Sequence, residues 1–514
     1  MLESRKSGIL LHPTSFPGSP GIGTLGEPAY RFLDWLAQAG QTLWQILPLG
    51  PTGYGDSPYS SFSTFAGNPL LVDLSILQNE GLLSDEDILP PDYISMDGPV
   101  DYGSVLWWKM PILKKAAQKF LSGKKDTEYK RFLSANEHWI HSFAIFMSIK
   151  NHFDQKAADE KQHGKLWYNW WPKNLASAEP NALQEWQNEH NDEIESICAI
   201  QYFFFRQWKA LRQAAHAKGI SIIGDIPIFV AADSADVWAN QRLFQLNRDG
   251  SPQFVAGVPP DYFSTTGQLW GNPLYNWKEM AKDGYSWWIK RIRSTLALVD
   301  YIRIDHFRGF ESYWAIPAGE KTAVKGSWKK GPGHDFFTAI RSAMGDVPII
   351  AEDLGIITEA VGELRDTFAL PGMKVLQFAF DPAEGKSGKL VNSFLPHMHT
   401  QNSVVYTGTH DNDTLQGWLH TALPEQLSMI RHYFGRNLTI DEMRIELIRS
   451  ALMSVSNLAV IPLQDVFGIG NEGRMNMPST TGKNWTWRMS DSHYDSTQAQ
   501  WLRNLSFLYG RNIT

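Results

Sequence analysis

Leu298-Val299-Asp300-Tyr301-Ile302-Arg303-Ile304-Asp305-His306-Phe307 is a short apolar, β-branched run that closes on a carboxylate. Two later runs repeat the pattern: Val347-Pro348-Ile349-Ile350-Ala351-Glu352-Asp353 and Ser403-Val404-Val405-Tyr406-Thr407-Gly408-Thr409-His410-Asp411. Runs of this composition and length are buried β-strands. One acid at a strand end is compatible with a helix cap. Acids at three strand ends are the way a (β/α)8 barrel presents reactive groups at one mouth.

Working outward, eight strand candidates emerge: 8–12, 42–49, 220–229, 299–306, 347–353, 373–380, 403–410 and 457–464. Amphipathic helices are predicted between them. The segment 285–299 recurs in apolar residues at three and four, and 200–218 is stopped by Gly219 at the C′ position. Strands alternating with helices imply a parallel sheet with right-handed crossovers, and eight of them suggest closure into an α/β, (β/α)8 TIM barrel. Strands two and three lie about 170 residues apart, far beyond an ordinary connection. Helical segments at 105–122, 127–150 and 181–216 fill this gap. The expected organisation is one catalytic barrel domain over 1–514, with 51–200 as a mainly helical insertion and further loop insertions on the C-terminal face.

Composition narrows the function. The chain has 514 residues, 43% of them hydrophobic, enough for a large core, and a net charge of −7. Slight acidity, with basic residues clustered no further than pairs such as Lys329-Lys330, speaks against nucleic acid as a partner. The single cysteine, Cys198, excludes a disulfide within the chain. The apolar residues Ile9 to Leu11 before His12-Pro13 are too few for a signal-peptide core, and no apolar run reaches membrane-spanning length. The expected setting is the cytoplasm. Trp is abundant, at 21 residues. Most of these rings are expected in the core, and some to line a groove for sugar rings.

The chemistry is read from the three acids. Arg303 and Asp305 share a strand face at i, i+2, so Arg303 is expected to hold Asp305 ionised and to lower its pKa, as a nucleophile at an anomeric carbon requires. A purely structural Arg–Asp pair has the same spacing. Glu352 ends another strand; neighbouring carboxylates would keep it protonated as a general acid, while Glu352 or, more naturally, Asp353 could instead cap the next helix. Asp411 follows His410 and could accept hydrogen bonds from sugar hydroxyls, or belong to turn chemistry.

Arg303-Ile304-Asp305-His306, Ala351-Glu352-Asp353-Leu354-Gly355 and Thr409-His410-Asp411-Asn412-Asp413 resemble the conserved regions of the α-amylase clan of retaining α-glucan enzymes. Gly53-Tyr54-Gly55-Asp56-Ser57-Pro58-Tyr59, Gly224-Asp225-Ile226-Pro227-Ile228-Phe229-Val230, Gly257-Val258-Pro259-Pro260-Asp261-Tyr262-Phe263 and Gly267-Gln268-Leu269-Trp270-Gly271-Asn272-Pro273 are similar to its amylomaltase, or disproportionating-enzyme, branch. The likeness runs from about residue 8 to about residue 490.

The resemblance implies Asp305 as nucleophile, Glu352 as acid/base and Asp411 as transition-state stabiliser. It implies Arg303 and His410 around the reacting sugar, Tyr59 stacked on it and Asp225 beneath it. Ser57, Trp270, Gln268 and Asn476 would line the groove, and Tyr54 would lie at a secondary glucan-binding spot. It further implies 4-α-glucanotransfer on maltooligosaccharides and α-1,4-glucans, with no cofactor, no metal, no nucleic acid and no membrane. A hydrolase of the same clan could carry the same trio. A non-catalytic glucan-binding barrel would need one acid displaced or replaced. His138 and His141, three apart, have no carboxylate partners in a metal pattern. Gly468-Ile469-Gly470-Asn471-Glu472-Gly473 imitates a dinucleotide fingerprint but reads as a loop.

Overall fold

In the computed structural model, residues 5–123, 126–260, 264–382 and 392–511 are described. Among the described residues, twelve strands form two sheets. Eight are parallel: β1 (Lys6–Leu10), β2 (Leu43–Gln45), β3 (Ser221–Pro227), β6 (Tyr301–Asp305), β9 (Ile349–Ala351), β10 (Gly372–Val375), β11 (Ser403–Tyr406) and β12 (Leu458–Pro462). Their order is β10-β11-β12-β1-β2-β3-β6-β9. The remaining seam is bridged where the Ala351 amide donates to Pro371 O at 2.9 Å, so the sheet curls into a nearly closed barrel.

All eight expected strands are present, and side-chain alternation explains why. Along β11, Val404 and Tyr406 join the cluster inside the barrel, while Val405 joins the layer under the helices. Along β12, Leu458 and Val460 point in while Ala459 and Ile461 point out. Both faces are buried, so the strands are apolar on both. Gly8 is obligatory in this wall: a Cβ there would come within 2.2 Å of Leu43 O on the neighbouring strand.

Some bounds differ from expectation. The run 42–49 pairs as a strand only over Leu43–Gln45, and 373–380 stops at Val375 and turns directly into the helix Leu376–Ala379. The segment 127–150 is two helices, Thr127–Ala135 and Ile140–Asp159. Asn136 breaks it: its side-chain amide donates to Phe132 O at 2.8 Å, and its Oδ1 accepts the Trp139 indole N–H at 2.9 Å. The predicted helix over 200–218 starts earlier, running Asn191–Ala217, with Gly219 at φ +72° behind it.

The stretch between β2 and β3 is mainly helical, with Tyr102–Ser122, Ile140–Asp159 and Asn191–Ala217 its longest elements. Two buried glutamines of the last helix brace the chain leaving β2. Gln201 accepts the Gly67 amide at 2.7 Å and donates to its carbonyl at 2.9 Å, and Gln207 does the same for Asp73 at 2.7 and 3.0 Å.

Residues 254–258 and 268–273 belong to a second sheet. β4 (Phe254–Val258), β5 (Gln268–Pro273), β7 (Ser312–Pro317) and β8 (Ser327–Lys330) form an antiparallel sheet in the order β5-β4-β7-β8. No described helix is long and apolar enough to cross a membrane.

Candidate active site

The floor of the site is built by register. Asp225 on β3 is the direct partner of Arg303 on β6, and Pro227 that of Asp305. Asp225, Arg303 and Asp305 therefore project from one side of adjacent strands. Arg303 spans the two acids: Nη1 reaches Asp225 Oδ2 at 2.5 Å and Nη2 reaches Asp305 Oδ1 at 2.8 Å. The Tyr59 hydroxyl donates to the same Asp225 Oδ2 at 2.7 Å. Asp225 Oδ1 is buried and has no partner among the described residues. Arg303 and Asp225 are buried, whereas 31% of the Asp305 side chain stays open.

Glu352 follows β9 directly. Its Oε2 accepts the amide of His306, the residue after Asp305, at 2.7 Å, and its Oε1 accepts the Leu354 amide at 3.1 Å. His306 turns this amide inward by adopting φ +55°, a left-handed conformation that a residue with a side chain holds only where its surroundings demand it. Burial, followed by the charge of Asp305, pushes Glu352 up to about 8, with Arg303 and the His306 amide opposing. Asp305 is raised too, because burial outweighs the Arg303 contact. The expectation that Arg303 would pull Asp305 below its usual range is thus corrected: the guanidinium is shared with Asp225.

Asp411 lies on the loop after β11. Asn476 donates to its Oδ1 at 2.6 Å, His410 Nε2 stands 3.5 Å from its Oδ2, and Arg474 donates to its backbone carbonyl at 3.0 Å. The buried His410 ring stacks on Tyr59 at 5.0 Å and 18°. Asp411 acts electrostatically on Asp305 alongside Asp225, so the three acids share one field.

Over residues 11–494 the sequence matches the family described as 4-alpha-glucanotransferase. The chain belongs to the 4-alpha-glucanotransferase family. The 4-alpha-glucanotransferase of Thermus thermophilus is 48% identical over 494 residues, covering 94% of this chain and 95% of that one. The chloroplastic/amyloplastic 4-alpha-glucanotransferase of Solanum tuberosum is 46% identical over 521 residues, covering 99% and 87%. The solved amylomaltase from Streptococcus agalactiae in complex with acarbose aligns with a TM-score of 0.92 at 40% identity, covering 99% of both chains. The chain is thus a glucan-transferring enzyme, and the hydrolase reading is not favoured.

In this 4-alpha-glucanotransferase, most of the residues singled out from the sequence lie together. Asp305, Glu352, Asp411, Arg303, His410, Tyr59 and Asp225 converge on one end of the barrel. Trp270 stands edge-on to His306 at 4.8 Å, and its indole N–H donates to Gln268 Oε1 at 3.2 Å. Ser57 Oγ accepts the Tyr59 amide at 3.2 Å and so shapes the turn carrying that ring. Asn476, expected as a groove residue, holds Asp411. The Tyr54 side chain lies outside the described residues, as do Asp261, Tyr262 and Phe263.

Asp353 does not cap the next helix, whose N-cap is Thr358. It accepts the Met373 amide at 2.7 Å and pairs with Arg365, pinning β9 to β10. Three residues were not singled out from sequence. Trp485 packs against Tyr59 at 5.8 Å and His410 at 5.9 Å. Arg474 fixes the Asp411 backbone. His12, held neutral by a pKa pushed down to about 3 by burial, lines a cavity of about 20 Å³ with His410 and Arg474. The only advance signal for His12 and Arg474 was their position at the end of a strand candidate and next to a motif residue.

Proposed function

We propose that Asp305 is the nucleophile, Glu352 the acid/base and Asp411 the transition-state stabiliser of a retaining transfer between α-1,4-glucans, with maltooligosaccharides as donors and acceptors. The observation that carries this reading is the Glu352 carboxylate bonded to the amide that follows Asp305. Retaining chemistry needs its two carboxyl groups about 5–5.5 Å apart, one on each side of the glycosidic bond. The acarbose bound to the amylomaltase from Streptococcus agalactiae, an oligosaccharide, supports the substrate class.

Glu352 protonates the leaving oxygen, and Asp305 forms a bond to the anomeric carbon. Glu352, now a base, then takes the proton of an acceptor 4-hydroxyl, and the glycan leaves with its α configuration restored. Asp411, held by Asn476, accepts hydrogen bonds from ring hydroxyls, most strongly as the ring flattens in the transition state. His410 assists there, Tyr59 stacks on the reacting sugar, and the unpaired Asp225 Oδ1 offers an acceptor beneath it. An acceptor glucan held along Ser57, Gln268 and Trp270 outcompetes water, since a bound group acts at a very large effective concentration. Tyr54 is proposed as a secondary glucan contact, 51–200 as an insertion within a single catalytic domain, and the cytoplasm as the setting.

Incubation with maltotriose tests the reading. Transfer yields glucose together with longer oligomers at constant reducing ends. Glucose and maltose alone, with reducing ends rising, would replace transfer with hydrolysis.

A further inference from the structure

We propose that Trp328, backed by Arg308 and Trp314, is a stacking platform for the distal part of an α-1,4-glucan chain whose reacting end lies at Asp305. The proposal rests on the glucan-transfer reading and extends it to a site outside the residues already assigned.

The second sheet puts Leu269, Gly257, Trp314 and Trp328 in one cross-strand row. Residues directly opposite in antiparallel pairs share a face. Trp328 is 41% exposed and Leu269 39%. Trp328 sits on the edge strand β8, among Ser327, Lys329 and Lys330. Lysines protect such an edge from pairing with other chains. An open indole in their midst works against that protection, so it needs a reason of its own.

The ring is fixed in advance. The Arg308 guanidinium lies over it at 4.0 Å, and the Trp314 ring meets it at 5.2 Å and 67°. Trp314 is itself pinned by its indole N–H, which donates to Ala323 O at 2.8 Å. Gly326 makes the room, since a Cβ there would come within 2.1 Å of Trp314 Nε1. A rigid aromatic face binds at low entropic cost, because little freedom is left to lose.

The platform is also continuous with the active site. Arg308 belongs to the turn Phe307–Phe310 that follows Asp305 and His306. Its guanidinium donates to Ile356 O, on the loop after Glu352, and to Ser312 Oγ at 3.2 Å. The support of Trp328 is therefore joined to the loops of both reacting acids. The C–H face of a pyranose is apolar and weakly positive and suits the negative face of an indole. Arg308 lies over the ring, and Ser312 and Lys330, paired across the strands two residues along from Trp314 and Trp328, offer groups for sugar hydroxyls on the same face. A row this narrow is too small for a stable protein interface, which takes about 800 Å² per partner.

The experiment compares kcat/KM for maltotriose and maltoheptaose in the full chain and in Trp328→Ala. The ratio of maltoheptaose to maltotriose should fall about ten-fold, the value of one lost ring contact, and should recover in Trp328→Phe. Should the alanine variant not fold, Trp328→Leu keeps an apolar side chain under Arg308 and must show the same selective loss. An unchanged ratio, including an equal loss on both substrates, overturns the proposal, because Trp328 then serves only the acid loops. Failure of the unsubstituted chain to make longer oligomers from maltotriose would instead overturn the transfer reading.

Discussion

The ends of β6 and β9 are neighbours in the barrel, yet their acids have different surroundings. At the β6 end, Asp305 has a guanidinium in contact, at 2.8 Å. At the β9 end, Glu352 is held by two backbone amides, and among the described residues no cation pairs with it. Burial raises both groups, but the first carries a direct counter-charge and the second does not. The guanidinium favours the ionised form of Asp305, and Glu352 has no such contact. Two carboxylates whose environments push them apart take the roles of nucleophile and acid. The proposed roles rest less on the acids themselves than on where Arg303 reaches.

The sharpest way to break this asymmetry is Asp305→Asn. Turnover of maltotriose should fall by at least about 10⁴-fold, while glucan affinity, measured by calorimetry, stays within a few-fold. Appreciable residual transfer would make the two ends interchangeable. Next is Asn476→Ala, which frees Asp411 without removing it. A supporting hydrogen bond of this kind is worth about 10–100-fold, expected in kcat rather than KM. An effect confined to KM would return Asn476 to the groove.

The pH profile gives a smaller signature. As the proposed acid, Glu352 would act while protonated, so kcat/KM should hold up to about pH 8 and fall as pH rises through it. A decline that begins below pH 6 would mean that burial does not protect the proton. The smallest effect concerns stability. Asp236, buried beside Arg291 and reached by the Thr64 amide at 2.7 Å, is raised to about 7 by burial. Its folded form binds a proton more tightly than its unfolded form, so it costs stability as pH rises from about 4 to about 7. Asp236→Asn should remove that slope and raise Tm by a few degrees at pH 8, with no gain at pH 4. An equal change at both pH values would refute the titration.

The barrel was legible because its strands are apolar on both faces, bounded by turn residues and finished with acids. β10 was over-extended because Leu376 to Ala379 continue its composition, and a short apolar run does not distinguish a strand from a helical turn. The second sheet was missed since β4 finds its partner in β7, more than 50 residues on, where no local period records the pairing. In the site, the acids could be read from where they fall in the chain. Their supports could not: Asn476 reaches Asp411 over 65 residues, and Asp353 serves β10 rather than the next helix. Those contacts exist only once the barrel has closed.

The most direct test of the division of roles is covalent trapping. Glu352→Gln keeps a nucleophile but loses the acid and base, so a glucosyl fluoride donor, whose leaving group needs no proton, should load the protein and stay on it. Mass spectrometry of the intact chain should show one added glycosyl unit, and peptide mapping should place it on Asp305. A protein with no adduct, or with the sugar on another residue, would contradict the account.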